Sequence, residues 1–303
     1  MTLQLDDVRA MTGRRVVTLD RLTGGSRKGV YRLRLDDDTT IVLYSWADAE
    51  NYWPPGPVVP GDPFSDASGP EIFAVNHAAL TGAGIRVPRL FHLGAGFALV
   101  EDAGGVKLEA LMERDPAAAA KPLALLGDTL RQMHTTVLPA YGKLTALVTG
   151  GSPAEDVVVD RALAHLDAVR DERVAAARDR IQAYVRELRS AVPAREAYGL
   201  VHGELGPDHV LVTADGEPVL IDIEGLTYFD VEWEHAWLRM RFGEAYRQLR
   251  PVELDPARLE LYRYAQILSL IEGPLRIAGT DFPHRQWMLD LAEWNITKAL
   301  AAL

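Results

Sequence analysis

Residues 200–225, LVHGELGPDHVLVTADGEPVLIDIEG, constrain this chain more than any other stretch. Apolar, strand-like runs flank loops loaded with acids and histidines, and Asp215-Gly216 supplies a turn. A hairpin of this kind buries its apolar residues and presents His202, Glu204, His209 and Asp222 near one edge, which is how a scaffold concentrates polar chemistry at loop ends. An acid set between apolar strand ends needs a reason to be there, and this favours a working role for Glu204.

The rest of the chain surrounds this unit with two kinds of structure. Residues 15–46 read as antiparallel hairpins: RRVVTLDRL, a turn at TGGSRKG, VYRLRL with its period-two alternation, the acidic turn DDDTT and the run IVLYSW. Residues 51–70 are dense in proline and glycine, which excludes a regular helix or a central strand. A loop of that length either covers a ligand as a lid or is a plain insertion. From Glu71, EIFAVNHAAL is helical, and IRVPRLFHL and GFALVED are two more strands. Beyond a hinge near residues 100–106 the pattern turns helical: LEALMERD, LALLGDTLRQMHTTV, one long amphipathic segment from Asp156 to Ala191, and helices from residue 225 onward. The expected class is α+β, with a strand-rich part over residues 1–102 and a mainly helical part over 103–303 that carries the hairpin.

Composition sets limits on partners. Of the 303 residues, 48% are hydrophobic and 25% charged, the balance of an ordinary globular protein, with no apolar run long enough for a membrane span. The absence of cysteine removes disulfides and thiolate metal sites. The first residues lack a basic and then apolar leader, so a cytoplasmic location is the default expectation. A formal net charge of −11 argues against nucleic acid as a partner and leaves cationic or metal-associated small ligands open. Oligomeric state is not specified by the sequence.

The 200–225 segment resembles the catalytic hairpin of the aminoglycoside phosphotransferase and choline kinase family. That family has His-Gly-Asp, four residues, then Asn, a short strand pair and an Ile-Asp-x-x metal-binding turn; here His202-Gly203-Glu204, His209 and Ile221-Asp222 stand in that order and spacing. The resemblance covers nearly the whole chain. Residues 22–33 look like the glycine-rich loop over the nucleotide, with Gly24, Gly25, Ser26 and Lys28 as contacts. Glu71 stands where the family carries the glutamate that pairs with a lysine. Val87-Pro88-Arg89-Leu90 is similar to the strand that follows, and Leu99-Val100-Glu101-Asp102 to the adenine-contacting hinge, with Val100 and Asp102 as contacts. Gln132-Met133-His134 and Asp230-Val231-Glu232-Trp233-Glu234 resemble the end of a helix and the acidic support segment of the second lobe.

The resemblance implies a two-lobed, protein-kinase-like fold: a nucleotide-binding lobe over residues 1–102 and a catalytic, substrate-binding lobe over 103–303. It further implies ATP or another nucleoside triphosphate as donor, Mg²⁺ or Mn²⁺, and a small molecule whose hydroxyl accepts the phosphoryl group. Glu204 is then the catalytic carboxylate, with His202 holding its loop, and Asp222, His209 and Glu224 are the metal ligands. Glu234 is the structural acid.

Three residues depart from the family pattern. Tyr44 takes the place of the strand lysine, so the ammonium that should meet the phosphates is missing there. Glu204 replaces aspartate, which moves the carboxylate outward by one methylene. His209 replaces asparagine, either as a softer metal ligand or as a hydrogen-bonding filler. A zinc site from His202, Glu204 and His209 has neither the helical spacing nor a cysteine to support it. Arg27 and Lys28 offer a relocated cation, as in some protein kinases, or are merely a solvated pair at a hairpin tip. Two readings follow from these departures: an active small-molecule kinase, or a pseudokinase that binds nucleotide or ligand without transfer.

Overall fold

The computed structural model describes residues 5–22, 25–53, 62–64, 68–251 and 253–303. In chain order the regular elements begin with α1 (Leu5–Thr12), β1 (Val16–Arg21), β2 (Gly29–Leu35), β3 (Thr40–Ser45), α2 (Pro70–Gly82), β4 (Leu90–Leu93), β5 (Phe97–Glu101) and β6 (Val106–Lys107). Then come α3 (Leu108–Arg114), α4 (Pro116–His134), β7 (Val137–Leu138), β8 (Tyr141–Lys143), β9 (Ala146–Val148), α5 (Ala154–Ala168), α6 (Glu172–Ser190) and β10 (Tyr198–Val201). The last are β11 (Val210–Val212), β12 (Pro218–Leu220), β13 (Thr227–Phe229), α7 (Val231–Phe242), α8 (Pro256–Ile277) and α9 (Arg285–Ala301). The class is α+β as expected, with an antiparallel N-terminal sheet and a helical C-terminal region. No helix among the described residues is long and apolar enough to cross a membrane.

Contacts divide the chain into two compact units. The first comprises Met1–Tyr52, Asp66–Thr129 and Gly206–Leu226; the second comprises Trp53–Ser65, Leu130–Leu205 and Thr227–Leu303. In the first, five strands form an antiparallel sheet in the order β1-β2-β3-β5-β4. The inner strands β3 and β5 read as continuous apolar runs because both faces are covered, and Ile41, Val42, Leu43, Tyr44 and Phe97 to Val100 are all buried. One face packs Leu33, Leu35, Ile41, Leu43, Phe97 and Leu99 with Val8 of α1. On the other, Tyr44 meets the edge of Phe73 in α2 at 5.5 Å.

The hairpin β11–β12 pairs Val210 with Leu220 and Val212 with Pro218, turning through Gly216 at φ 82°. It takes β6 as its third strand, where a Cβ on Gly105 would fall 1.9 Å from the Val212 carbonyl oxygen, so that position admits only glycine.

The structure corrects the sequence reading of this region. One hairpin does not present all four polar residues: β10, which leads to His202 and Glu204, lies in a different sheet from β11 and β12. Gly203 at φ 90° and the short 3-10 turn Pro207–His209 redirect the chain between them.

In the second unit β10 is second in a sheet ordered β7-β10-β13-β8-β9. The long helix expected from Asp156 to Ala191 is two helices. α5 ends at Val169, which is extended and buried, and the Asp171 side chain accepts from the Arg173 and Val174 amides to start α6. The short strands β7, β8, β9 and β13 went unread, since two or three residues are too few to show a period.

Two described parts of the proline-rich loop, Trp53 and residues 62–64, rest on second-unit helices. The Arg276 guanidinium lies 5.1 Å from the Trp53 ring, Asp62 pairs with Arg161 at 2.5 Å, and Phe64 stacks on Trp233 at 4.3 Å. The remainder of the loop, residues 54–61 and 65–67, lies outside the described residues.

The helices of this unit close over a buried ion cluster. Arg258 contacts Glu155 at 2.7 Å and also Asp230, while Arg195 bridges Asp230 and Glu232. Tyr262 donates to Asp230 at 2.7 Å. Removing one partner from such a cluster leaves buried charge uncompensated, which costs about 3–5 kcal/mol. Arg258→Met is therefore expected to lower the urea-unfolding free energy by about that amount; a loss below about 1 kcal/mol would mean the acids find other counter-charges.

Candidate active site

In the first unit the site is built around Lys28. Gly25 has φ 80°, and a Cβ there would stand 2.7 Å from the Lys28 carbonyl oxygen, so the loop can close only on glycine. The Tyr52 amide donates to the Ser26 carbonyl and the Leu22 amide to that of Val30, fixing both sides of the loop. Lys28 is thereby turned inward and is only 7% exposed. Its Nζ lies 2.6 Å from Asp222 Oδ1 and 2.5 Å from Glu224 Oε1.

Beneath the ammonium, 5.1 Å away, is the ring of Tyr44, the position where the resemblance led one to expect a lysine. Burial works against a charge on Lys28, but Asp222 and Glu224 outweigh it and hold the amine protonated. Burial pushes the Tyr44 phenol up, so it stays neutral. Burial likewise pushes Glu224 up, against the pull of Lys28.

The two carboxylates differ in setting. Asp222 heads its turn in the left-handed region at φ 60°, with 43% of its side chain exposed; the Glu224 side chain is 10% exposed. Asn76 of α2 holds the turn by donating to the carbonyls of Ile223 (2.9 Å) and Glu224 (3.3 Å). His209 Nε2 sits 3.3 Å from Asp222 Oδ2 and 3.5 Å from Asp208 Oδ2. Among the described residues no group of three or more His, Asp or Glu is placed to hold a metal ion. A hard divalent ion wants about six oxygen ligands; here an ammonium already bridges the two carboxylates and the neighbour is an imidazole, so the residues as arranged do not fit one.

In the second unit β10 delivers the chain to the loop bearing Glu204. His202 is fully buried, while Glu204 is exposed. Glu234 of α7, itself fully buried, accepts from the His202 amide at 3.0 Å and the Gly203 amide at 3.2 Å. It also faces His134 Nε2, at the end of α4, at 3.3 Å. Burial alone would raise the Glu234 pKa, but His134 and the backbone donors hold it below its usual value. His134 in turn meets the His235 ring at 5.2 Å, and His235 Nδ1 is 2.9 Å from the Tyr246 hydroxyl. Burial, then His134, lowers His235 to about 4, so it packs as a neutral ring. The outcome is a carboxylate in solvent on a loop whose amides are pinned, a geometry suited to orienting a hydroxyl and receiving its proton. The His202 ring lies fully buried beside that loop.

The remaining sequence-derived candidates are placed as follows. Gly24 lies outside the described residues. Glu71 is exposed in the first turn of α2 and has no side-chain partner among the described residues. Val100 is fully buried in β5, paired with Val42 on one side and Leu90 on the other. Asp102 binds Arg32 through Nε at 2.7 Å and Nη2 at 3.1 Å. Sequence reasoning missed Asn76, whose signal was an amide on the apolar side of a helix. It also missed Glu50, which pairs with Arg21 at 2.6 Å, contacts Tyr31 and crowds Gly29.

Residues 65–268 match the family described as APH, phosphotransferase enzyme family. The chain belongs to that family. No curated protein matches it. Among solved structures, choline kinase LicA from Streptococcus pneumoniae is 13% identical, with 98% of this chain and 97% of that one covered and a TM-score of 0.67. A choline/ethanolamine kinase family protein from Mesorhizobium loti is 18% identical over 94% of this chain and 87% of that one, with a TM-score of 0.61. Aminoglycoside phosphotransferase APH(4)-Ia, solved as a thermostable mutant with AMP-PNP and hygromycin B, is 17% identical over 98% and 96%, with a TM-score of 0.65. At these identities the likeness concerns the fold. In this chain the buried lysine stands on the loop before β2, and β3 carries Tyr44.

The support of the loop by Glu234 is open to test. A carboxylate held below its usual 4.5 stabilises the fold above that pH and ceases to as pH falls through its folded value. Glu234→Gln is expected to cost about 1–3 kcal/mol at neutral pH, and the gap to wild type should narrow in acid. Denaturation at pH 7 and again well below pH 4.5 checks this; a gap that widens in acid would be the wrong sign.

Proposed function

We propose that this protein is an ATP-type phosphotransferase that moves a phosphoryl group to a hydroxyl of a small molecule. The observation that carries this reading is Lys28: the cation missing at Tyr44 reappears from the glycine-rich loop, protonated, above the same phenol ring. In this reading residues 1–102 act as the nucleotide-binding lobe and 103–303 as the catalytic and acceptor-binding lobe. Gly25 and Ser26 let backbone amides approach the phosphates, and Val100, near the end of β5, with Asp102 just past it, meets the base.

Lys28 supplies charge to the phosphates, and Glu204 orients the acceptor hydroxyl and takes its proton as the oxygen attacks. Related structures hold AMP, GDP or AMP-PNP, which supports a nucleoside triphosphate donor. The family resemblance also brings Mg²⁺ or Mn²⁺ with Asp222, His209 and Glu224 as ligands; the present arrangement does not fit such an ion. The acceptor is a small hydroxyl compound, and the net charge of −11 allows it to be cationic.

The pseudokinase reading keeps one observation in its favour. His209 stands in the asparagine position, and no three-donor group is assembled beside it among the described residues. Turnover decides between the two. ATP consumption should rise above background when hydroxylated acceptors such as choline or hygromycin B are supplied with Mg²⁺ or Mn²⁺; nucleotide binding with no turnover across a broad acceptor panel would select the pseudokinase.

Glu204→Gln should lower kcat by about a hundredfold while leaving the KM for ATP nearly unchanged, and equal turnover by both proteins would move the catalytic role elsewhere. Lys28→Met should weaken ATP binding by about tenfold or more and leave adenosine binding unaltered. Calorimetry with both ligands reads the split, and equal loss for the two would remove Lys28 from the phosphates.

A further inference from the structure

We propose that Glu224 is the positioning residue of the nucleotide site, the anchor that holds Lys28, and that Asp222 is the partner Lys28 releases to a polyphosphate. The inference rests on the functional reading above and assigns Glu224 to the lysine, not to a metal ion.

Three observations carry it. First, the residue expected to pair with the site's lysine does not do so: Glu71 is exposed and without a side-chain partner among the described residues. Second, the two carboxylates that do meet Lys28 are unequally able to let go. The Glu224 side chain is 10% exposed and that of Asp222 43% exposed, with Nζ at 2.5 Å and 2.6 Å respectively. A buried carboxylate stripped of its ammonium would have no water to turn to, whereas a half-exposed one is resolvated at once. Third, Glu224 is fixed from behind. Asn76 holds its carbonyl and that of Ile223, and its second carboxylate oxygen, Oε2, is buried with no hydrogen-bond partner among the described residues, so the Lys28 bond is what keeps this acid in place.

An ammonium has three N–H donors, and the two carboxylates use two of them. An incoming polyphosphate oxygen can take the third and then displace Asp222, while Glu224 and the Tyr44 ring keep Nζ in position. The lysine–glutamate pair has thus moved as a whole, from β3 and α2 to the glycine-rich loop and the turn after β12.

The test uses the full chain and two ligands, ATP and adenosine, measured by calorimetry in wild type, Glu224→Gln, Glu224→Asp and Glu71→Gln, with thermal midpoints recorded first. Glu224→Gln should lose at least tenfold in ATP affinity with adenosine held within twofold. Glu224→Asp, which keeps the charge one methylene short, should recover part of that loss, and Glu71→Gln should match wild type for both ligands. A double-mutant cycle in unfolding adds a readout that needs no nucleotide: Lys28→Met and Glu224→Gln should be non-additive, Lys28→Met and Glu71→Gln additive. ATP binding that is equal in wild type and Glu224→Gln, or lost in Glu71→Gln, overturns the inference. A wild type that binds no ATP overturns the functional reading beneath it, and an additive Lys28/Glu224 cycle overturns the pairing itself.

Discussion

An ammonium can be taken out of water only where opposite charge and hydrogen-bond acceptors await it, and that requirement organises the first unit around Lys28. The turn after β12 must place two acids within 2.6 Å of one nitrogen, which forces Asp222 into the left-handed region and Glu224 inward. The turn is then steadied by Asn76, and α2 must bring that amide to it. A cation over the ring also explains why the strand position can be a tyrosine: the aromatic face accepts the charge above it and fills the space a lysine stem would occupy. The glycine-rich loop is bound by the same constraint. Gly25 is needed to close it on Lys28, and at Gly29 the side chains of Glu50 and Tyr31 fill the space a Cβ would enter.

The second unit solves a parallel problem with the opposite sign. Glu234 is a carboxylate with no exposure, and it survives as an anion because two backbone amides and His134 surround it. Those amides belong to the loop that displays Glu204, so burying one acid rigidly presents another. The Asp230 cluster does similar work where α5, α7 and α8 begin, with two arginines shared among three acids. Neither arrangement adds much net stability over an apolar core of equal volume. What each contributes is a unique place for a polar group, the property a site for small polar ligands needs.

Much of this was legible in the sequence because it depended on order and period. The strands of residues 15–46 and 85–102, the helix from Glu71 and the polar residues of 200–225 all followed from alternation, turn residues and spacing. The hairpin was misjudged because strand runs do not state their partners; only Gly203 and the Pro207 turn, read as conformational commands, would have separated β10 from β11. The α5/α6 break turned on a single capping aspartate inside an amphipathic pattern that continues across it. Lys28 was identified by elimination of charge at Tyr44, but its partners were not, since Glu71 sat in the expected place and pairing across 196 residues leaves no local trace.

The departures at 44, 204 and 209 then bear unequally on chemistry. Moving a lysine from a strand to the loop before β2 conserves charge at a point, because what a phosphate senses is the position of the ammonium and not its place of origin. Lengthening an aspartate to a glutamate conserves charge but shifts its position, which is tolerable only if the supporting loop is fixed in a compensating place. Glu234 provides the means for that, since its grip on the His202 and Gly203 amides sets where residue 204 begins. Replacing asparagine by histidine at 209 conserves neither charge type nor ligand hardness. Of the three it is the change that alters what the side chain can bind, and it sets an imidazole 3.3 Å from the Asp222 carboxylate.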